Sequence, residues 1–268
     1  MLDGDRGHLV ARRANYKKDN LEAPEIIYNP DLKEYYLFVS YDPLMTTYNV
    51  RVGRSDKAEG PFIDYFGKEL KDTTNNFPIL TAPYRFKNHP GWAGTAHCAV
   101  FTSDDGQYFM AHQGRLSPQN QMMDLHVRQV FFTKDGWPVV SPERYADSKP
   151  REFSAADLVG EGAIIRVQEP LYERQLEAGQ ILWGEGELQD EEWNMSHLLY
   201  LEKDGKLGED KGTWDFAKED QSLQLTLNGE VVKNLIVFAG HNWENETETV
   251  LFTGLDSRGR SVWGKRTK

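Results

Sequence analysis

The sequence predicts an all-β protein, and three observations lead to that fold class. Apolar residues show almost no helical periodicity along the 268 residues. Short runs rich in Tyr, Phe, Val and Ile recur instead, with the length of single strands. Asp-Gly dipeptides or an Asn-Pro-Asp tripeptide separate several of these runs, and such residues are typical of antiparallel hairpins.

The first half of the chain contains three predicted hairpins. They are the segments EIIYNPDLKEYYLFVSYD, HCAVFTSDDGQYFMAHQG and VRQVFFTKDGWPVV. The unit that begins near Glu22 returns about 75 residues later, near His97, as a weak internal repeat. Each unit matches two neighbouring strands of a four-stranded blade, which is the rhythm of a β-propeller with long loops.

The second half contains shorter and more even strands, in HLLYLEKDGKL, LQLTLNGEVV, NLIVFAG and ETVLFTGLDSRGRSVWG. Tight turns at this spacing indicate a small barrel or sandwich. The stretch SPERYADSKPREFSAADLVGEG holds two prolines, several charges and no alternation, as a linker does. We therefore predict two domains, residues 1–148 and 149–268, with no helix longer than about 15 residues.

Composition excludes several classes of function. Lys and Arg number 31 against 42 Asp and Glu, a formal net charge of −11, which argues against nucleic acid and anionic membranes as partners. A hydrophobic fraction of 39% is enough for a folded core. The single cysteine, Cys98, excludes an internal disulfide and a Cys-rich zinc site. No apolar run reaches a membrane span, and the first residues show no signal-peptide pattern.

Glu22 is a candidate general acid. It precedes Ala23-Pro24 at the entry of an apolar strand, where the proline stiffens the backbone. Desolvation at such a strand mouth could retain the carboxyl proton; the alternative is a solvated loop glutamate. His97 and Cys98 suggest a nucleophile pair, but adjacent strand residues point to opposite faces, so that idea fails.

The segments EAPEIIY, YYLFVSYD, YNVRVGRS with GPF, GTAHCAVF and DLHVRQVFFTKDGWPVVSPERYA occur in collinear order. Together they resemble glycoside hydrolase family 43, and within it the endo-1,5-α-L-arabinanases that carry an extra C-terminal β-domain. The resemblance covers most of residues 4–147, and residues 150–268 look like the small β-barrel of those enzymes. It implies a partial five-bladed β-propeller followed by that barrel, arabinan or arabino-oligosaccharide as substrate, and a secreted or periplasmic protein.

The resemblance also implies an inverting mechanism with three carboxylates: an Asp base, an Asp that tunes the acid, and a Glu acid. Glu22 matches the position of the acid. Neither Asp motif occurs in the 21 residues before it. We therefore expect this chain to lack the N-terminal blades with the base and to be inactive alone. A separate chain would complete the ring, or the half-ring would self-associate.

Three further residues receive roles from the resemblance. His97, in GTAHC, matches a channel histidine beside a calcium ion; a histidine bonded to water or backbone is the alternative. Arg128 shares a strand face with His126 and is expected to reach a sugar or the acid, unless it pairs in the core. Trp92, in the loop before His97, is expected to stack on a sugar, with ordinary packing equally open.

Two other kinds of function stay open. A non-catalytic carbohydrate-binding or structural β-protein is the alternative to an arabinan hydrolase, because two of the three carboxylates have no match in this chain. A lipocalin-like binder acting through residues 150–268 alone is a weaker alternative. An open apolar cavity in that region would favour it.

Overall fold

The computed structural model describes residues 4, 7–12, 21–72, 76–118, 121–168, 188, 190–209 and 211–268. Within these ranges the protein is all-β, as predicted, and its one α-helix is α1, Ala155–Leu158. No helix in the described part of the chain is long and apolar enough to cross a bilayer.

The first four strands form one antiparallel sheet in the order β1-β2-β3-β4. Their bounds are β1 Leu21–Asn29, β2 Glu34–Tyr41, β3 Asn49–Ser55 and β4 Ile79–Thr81. The predicted Asn-Pro-Asp turn joins β1 to β2. A four-stranded meander of this kind is the unit of a propeller blade.

The next six strands belong to a second sheet. Their bounds are β5 Tyr84–Arg85, β6 Trp92–Ala93, β7 Ala99–Thr102, β8 Tyr108–Leu116, β9 Asp124–Phe132 and β10 Pro138–Val140. Strands β7 to β10 form a second antiparallel meander. Its Asp-Gly turns place Gly106 and Gly136 at φ 82° and 79°, a region that glycine enters without steric cost.

The two meanders lie side by side, with β1 next to β7 and β4 next to β10. The internal repeat in the sequence therefore corresponds to the first two strands of each meander. This is the arrangement of two neighbouring blades, in which the first strands lie on the same side.

The remaining strands close an eight-stranded barrel, apart from β12. Their bounds are β11 Gly160–Arg166, β12 Asn194–Met195, β13 His197–Leu201, β14 Lys206–Leu207, β15 Gly212–Ala217, β16 Ser222–Leu227, β17 Glu230–Asn242, β18 Thr247–Leu255 and β19 Ser261–Arg266. Two short 3₁₀ helices cover Asp190–Glu192 and Lys218–Asp220. Closure pairs β11 with β19 and removes the free edges of the sheet.

The interior of the barrel is filled with apolar side chains. Leu199, Trp214, Leu225 and Phe252 belong to one buried cluster, which also includes Phe153 from the segment before α1. A cavity of only about 10 Å³ lies among Leu158, Leu199 and Phe252, room for one water at most. The apolar cluster therefore occupies the barrel interior, where a lipocalin-like binder would need open space.

The two parts of the chain are less separate than a flexible linker implies. Residues 141–154 contain no strand, but Glu143 and Phe153 in that segment are buried. Strand β12 lies beyond residue 148 yet pairs in parallel with β5 of the second sheet. Trp263 of β19 belongs to the same hydrophobic core as the first two sheets. The connecting segment is therefore packed into the structure.

Candidate active site

Glu22 lies on an irregular part of β1. The pairing of β1 with β2 shifts register between Glu22 and Glu25, which marks a β-bulge. Ala23 has a φ of 48°, an uncommon conformation for a residue with a Cβ, and more so before a proline. Bulges re-aim side chains near functional sites, and left-handed non-glycine residues often occur there. The bulge and the left-handed Ala23 thus directly follow Glu22, which keeps the exposed side of β1.

Tyr48 holds the Glu22 carboxyl group. Its phenol oxygen lies 2.7 Å from Glu22 Oε1 and 3.3 Å from Nδ1 of His97. The backbone N–H of His97 donates to Ser40 Oγ at 2.9 Å. Three segments that are distant in the sequence thus meet where β1 and β7 run side by side.

Burial sets the protonation of Tyr48 and Cys98. Burial, followed by the hydrogen bond and charge of Glu22, raises the pKa of Tyr48 far above its ordinary value. Tyr48 therefore remains a hydrogen-bond donor at any working pH. Burial raises the pKa of Cys98 to about 12, so its thiol is not a nucleophile.

The environment of Glu22 differs in one respect from the sequence prediction. Its side chain is exposed, so the described residues do not supply the desolvation expected at the strand mouth. Among them, Glu22 is the one carboxylate that hydrogen-bonds Tyr48 or His97. A carboxyl group held in this way can donate a proton from one side of a bond, which is the acid's part in an acid–base pair.

His97 is exposed, and Cys98 is buried, so the two side chains point to opposite sides as expected. The described residues contain no group of three or more His, Cys, Asp or Glu side chains that could hold one metal ion. Calcium prefers six to eight oxygen ligands, and one imidazole does not meet that requirement. The described residues alone do not fit calcium at His97, and the ion stays a prediction.

Arg128 has the core role that was the alternative to sugar binding. It is fully buried on β9. Its guanidinium donates to His112 Nε2 at 2.9 Å, to the Ser141 carbonyl at 2.8 Å and to Tyr84 Oη at 2.7 Å. Burial and the Arg128 charge lower the pKa of His112 to about 3, so the ring is neutral and can accept this bond. We assign Arg128 a packing role in place of the predicted substrate contact.

Trp92 is also part of the interior. Its ring stacks on His89 with centroids 5.5 Å apart and meets the edge of His126 at 4.4 Å. It lies in strand β6 rather than at a loop tip, and 7% of its surface is exposed. Neither face is open to a sugar, so packing replaces the predicted stacking role.

The sequence analysis missed Tyr48 and Ser40. Both lie in segments that carry the family resemblance, YNVRVGRS and YYLFVSYD. A tyrosine at the start of an apolar strand is also an ordinary core residue, so nothing local distinguished it. Only the meeting of β1, Tyr48 and His97 reveals its contact with Glu22.

Comparison with known proteins places this geometry in a family. The family model for glycosyl hydrolases family 43 matches residues 3–138, and a model for a C-terminal lipocalin-like domain matches residues 142–264. The chain is 26% identical over 92% of its length to an extracellular endo-α-(1→5)-L-arabinanase 2 of Bacillus subtilis. It is 26% identical over 93% of its length to the corresponding enzyme of Thermotoga petrophila. It spans 53% of the length of each of these two relatives.

Solved structures show the same fold. The endo-1,5-α-L-arabinanase of Thermotoga petrophila superposes with a TM-score of 0.77 at 24% identity, over 93% of this chain and 55% of that one. A family 43 glycoside hydrolase from Bacillus licheniformis gives a TM-score of 0.76 at 24% identity, over 92% and 56%. With more than half of its residues matched by the family model, the chain belongs to glycosyl hydrolase family 43.

Proposed function

We propose that this chain supplies the general acid of an arabinan-directed glycoside hydrolase that cleaves α-1,5-L-arabinofuranosidic bonds with inversion. The observation that carries the proposal is the 2.7 Å hydrogen bond that holds Glu22 beside His97, where two blades meet. Membership of family 43 and the names of the relatives support the reaction and the substrate.

In this mechanism Glu22 donates a proton to the leaving glycosidic oxygen as the bond to the anomeric carbon breaks. A carboxylate base takes a proton from water on the opposite face of the sugar, about 6.5–9.5 Å from the acid. The base and the second Asp would come from other blades. Trp92 and Arg128 act indirectly, through the packing of the second sheet.

Apolar side chains on the two first strands support a further protein partner. Ile26 and Tyr28 of β1 and Phe101 of β7 are each nearly half exposed. Exposed apolar side chains on neighbouring strands are typical of a contact surface. We propose that the remaining blades cover them, or that a second copy does. The extracellular relatives support secretion as the location of the complete enzyme.

Mixing the chain with a polypeptide that carries the upstream blades tests this function. We expect the mixture to cleave linear arabinan and the chain alone to be inactive, because a missing acid or base costs about 10²–10⁴-fold in rate. Glu22→Gln should abolish the restored activity. Glu25→Gln, on the other side of the bulge, is the matched control and should retain it.

Two results would contradict the proposal. Hydrolysis by the chain alone would require a base within these residues. A mixture that binds arabinan without cleaving it would favour the alternative, a non-catalytic carbohydrate-binding protein.

A further inference from the structure

Tyr48 connects the Glu22 carboxyl group to His97 by hydrogen bonds. The tyrosine is fully buried, whereas Glu22 and His97 are exposed on either side of its hydroxyl group. The phenol oxygen lies 2.7 Å from Glu22 Oε1 and 3.3 Å from His97 Nδ1. The two exposed groups are therefore joined through one buried hydroxyl group.

The number of protons decides the direction of each bond. A phenol has one proton and can donate once, and the shorter contact, to Glu22, is the one that receives it. The contact with His97 is then a bond in which Nδ1–H donates to the phenol oxygen. In the neutral ring this leaves a lone pair on Nε2.

Constrained backbone holds both groups that hydrogen-bond Tyr48, Glu22 and His97. His97 has a φ of 57°, and its N–H is held by Ser40 Oγ at 2.9 Å. Ala23, next to Glu22, has a φ of 48°. Left-handed conformations at non-glycine residues persist only where the surrounding structure enforces them. Both exposed groups therefore stand on constrained backbone next to the Tyr48 hydroxyl.

We propose that Tyr48 is the positioning residue of the general acid. The Tyr48 O–H donates a hydrogen bond to Glu22 Oε1. The transferable proton therefore resides on Oε2, which faces the leaving oxygen. Tyr48 keeps its own proton throughout, and the proton that leaves Oε2 is the one the glycosidic oxygen gains. This role rests on the proposed function, because it concerns the same carboxyl group.

The kinetic test uses Tyr48→Phe in the mixture with the upstream blades. Cleavage of arabino-oligosaccharides should fall about 10- to 100-fold in kcat with little change in KM, because the acid loses its orientation. A 4-nitrophenyl arabino-oligosaccharide has a leaving group that needs no proton. Its release should change less than about threefold.

Tyr36→Phe is the matched control. Tyr36 on β2 is equally buried, and its hydroxyl lies 3.0 Å from Glu34 Oε2 and donates to the Gly136 carbonyl at 2.6 Å. It has no bond to Glu22 or His97. Loss of the Tyr36 hydroxyl group should lower the free energy of unfolding about as much as Tyr48→Phe does. It should leave kcat and KM unchanged on both substrates. Equal losses on the two substrates, or an equal loss in Tyr36→Phe, would overturn the positioning role.

A second measurement needs no activity. In the purified chain, ¹⁵N NMR shifts should show the Nδ1–H tautomer of neutral His97, and Tyr48→Phe should remove that preference. An Nε2–H tautomer in the unmodified chain would overturn the proposal. An Nδ1–H tautomer together with an inactive mixture would instead contradict the proposed function and leave the Tyr48 geometry standing.

Discussion

At the residue scale, the buried ammonium group of Lys265 is the centre of an ionic network outside the candidate site. It pairs with Glu143 and Glu244, donates a hydrogen bond to Asn242 Oδ1 at 3.0 Å, and lies 3.8 Å from the centroid of the Phe86 ring. Burial raises the pKa of Glu143 to about 7, against the opposing effect of Lys265 and with a further rise from Glu244. This carboxyl group therefore titrates near neutral pH.

Glu143→Gln should change how stability depends on pH. The folded state keeps the Glu143 proton up to about pH 7, whereas the ordinary pKa of a glutamate carboxyl group is 4.5. A pKa raised in the folded state contributes stability that is complete below about pH 4.5 and is lost as the pH rises through 7. The free energy of unfolding should thus fall less in Glu143→Gln than in the unmodified chain over this range.

Urea unfolding at a series of pH values measures that difference. Glu219→Gln removes an exposed carboxylate and serves as the control. Its free energy of unfolding should depend on pH as that of the unmodified chain does. An identical pH dependence in Glu143→Gln and the unmodified chain would show that Glu143 is ionised throughout.

At the element scale, the β18–β19 pair depends on a glycine. Gly264 lies opposite Phe252 in the register of the two strands. A Cβ at Gly264 would lie 1.9 Å from a ring carbon of Phe252, far inside contact distance. The aromatic ring therefore occupies the space that a side chain at 264 would take, which is how a strand glycine is stabilised in a barrel.

Gly264→Ala should destabilise the barrel by about 1–3 kcal/mol, because the Phe252 ring must leave its rotamer. Phe252→Leu in the same chain should recover part of that loss, since the smaller side chain leaves room for the methyl group. Urea unfolding of both single variants and the double variant measures the coupling. Strictly additive losses would show that the two side chains do not compete for space.

At the scale of the whole molecule, the barrel and the first two sheets share a core. Trp263 of β19 packs edge-on against Tyr84, with ring centroids 5.4 Å apart. Ser261 Oγ donates to the Ile79 carbonyl at 2.7 Å, and Thr253 Oγ1 donates to the Val140 carbonyl at 2.8 Å. An interface that is both apolar and hydrogen-bonded couples the stabilities of its two sides.

We therefore expect one unfolding transition for the entire chain. Far-ultraviolet circular dichroism and tryptophan fluorescence should give coincident curves. Lys265→Met at pH 8 should lower the free energy of unfolding by about 3–5 kcal/mol, because the buried Glu143 and the partly buried Glu244 lose their cation. The control is Lys206→Met, whose exposed pair with Asp204 at 3.3 Å contributes at most about 1 kcal/mol. Two separate unfolding transitions in the unmodified chain would show that its two domains unfold independently.

Much of the fold could be read from the sequence. Strand runs and turn residues act within a few neighbours, so the Asp-Gly turns at Gly106 and Gly136 and the repeat of the first two strands were predictable. The packed linker and the pairing of β12 with β5 were not, because they depend on which surfaces the folded parts bury.

For the candidate site, the sequence by itself determined one residue, Glu22, through its place before Ala23-Pro24 and the family resemblance. Only the tertiary structure decided its partner, since Tyr48 lies 26 residues from Glu22 and 49 from His97 along the chain. It also decided that Arg128 and Trp92 pack in the interior. The physical reason is that periodicity and turn chemistry are local, whereas burial and hydrogen-bond partners depend on segments brought together by packing.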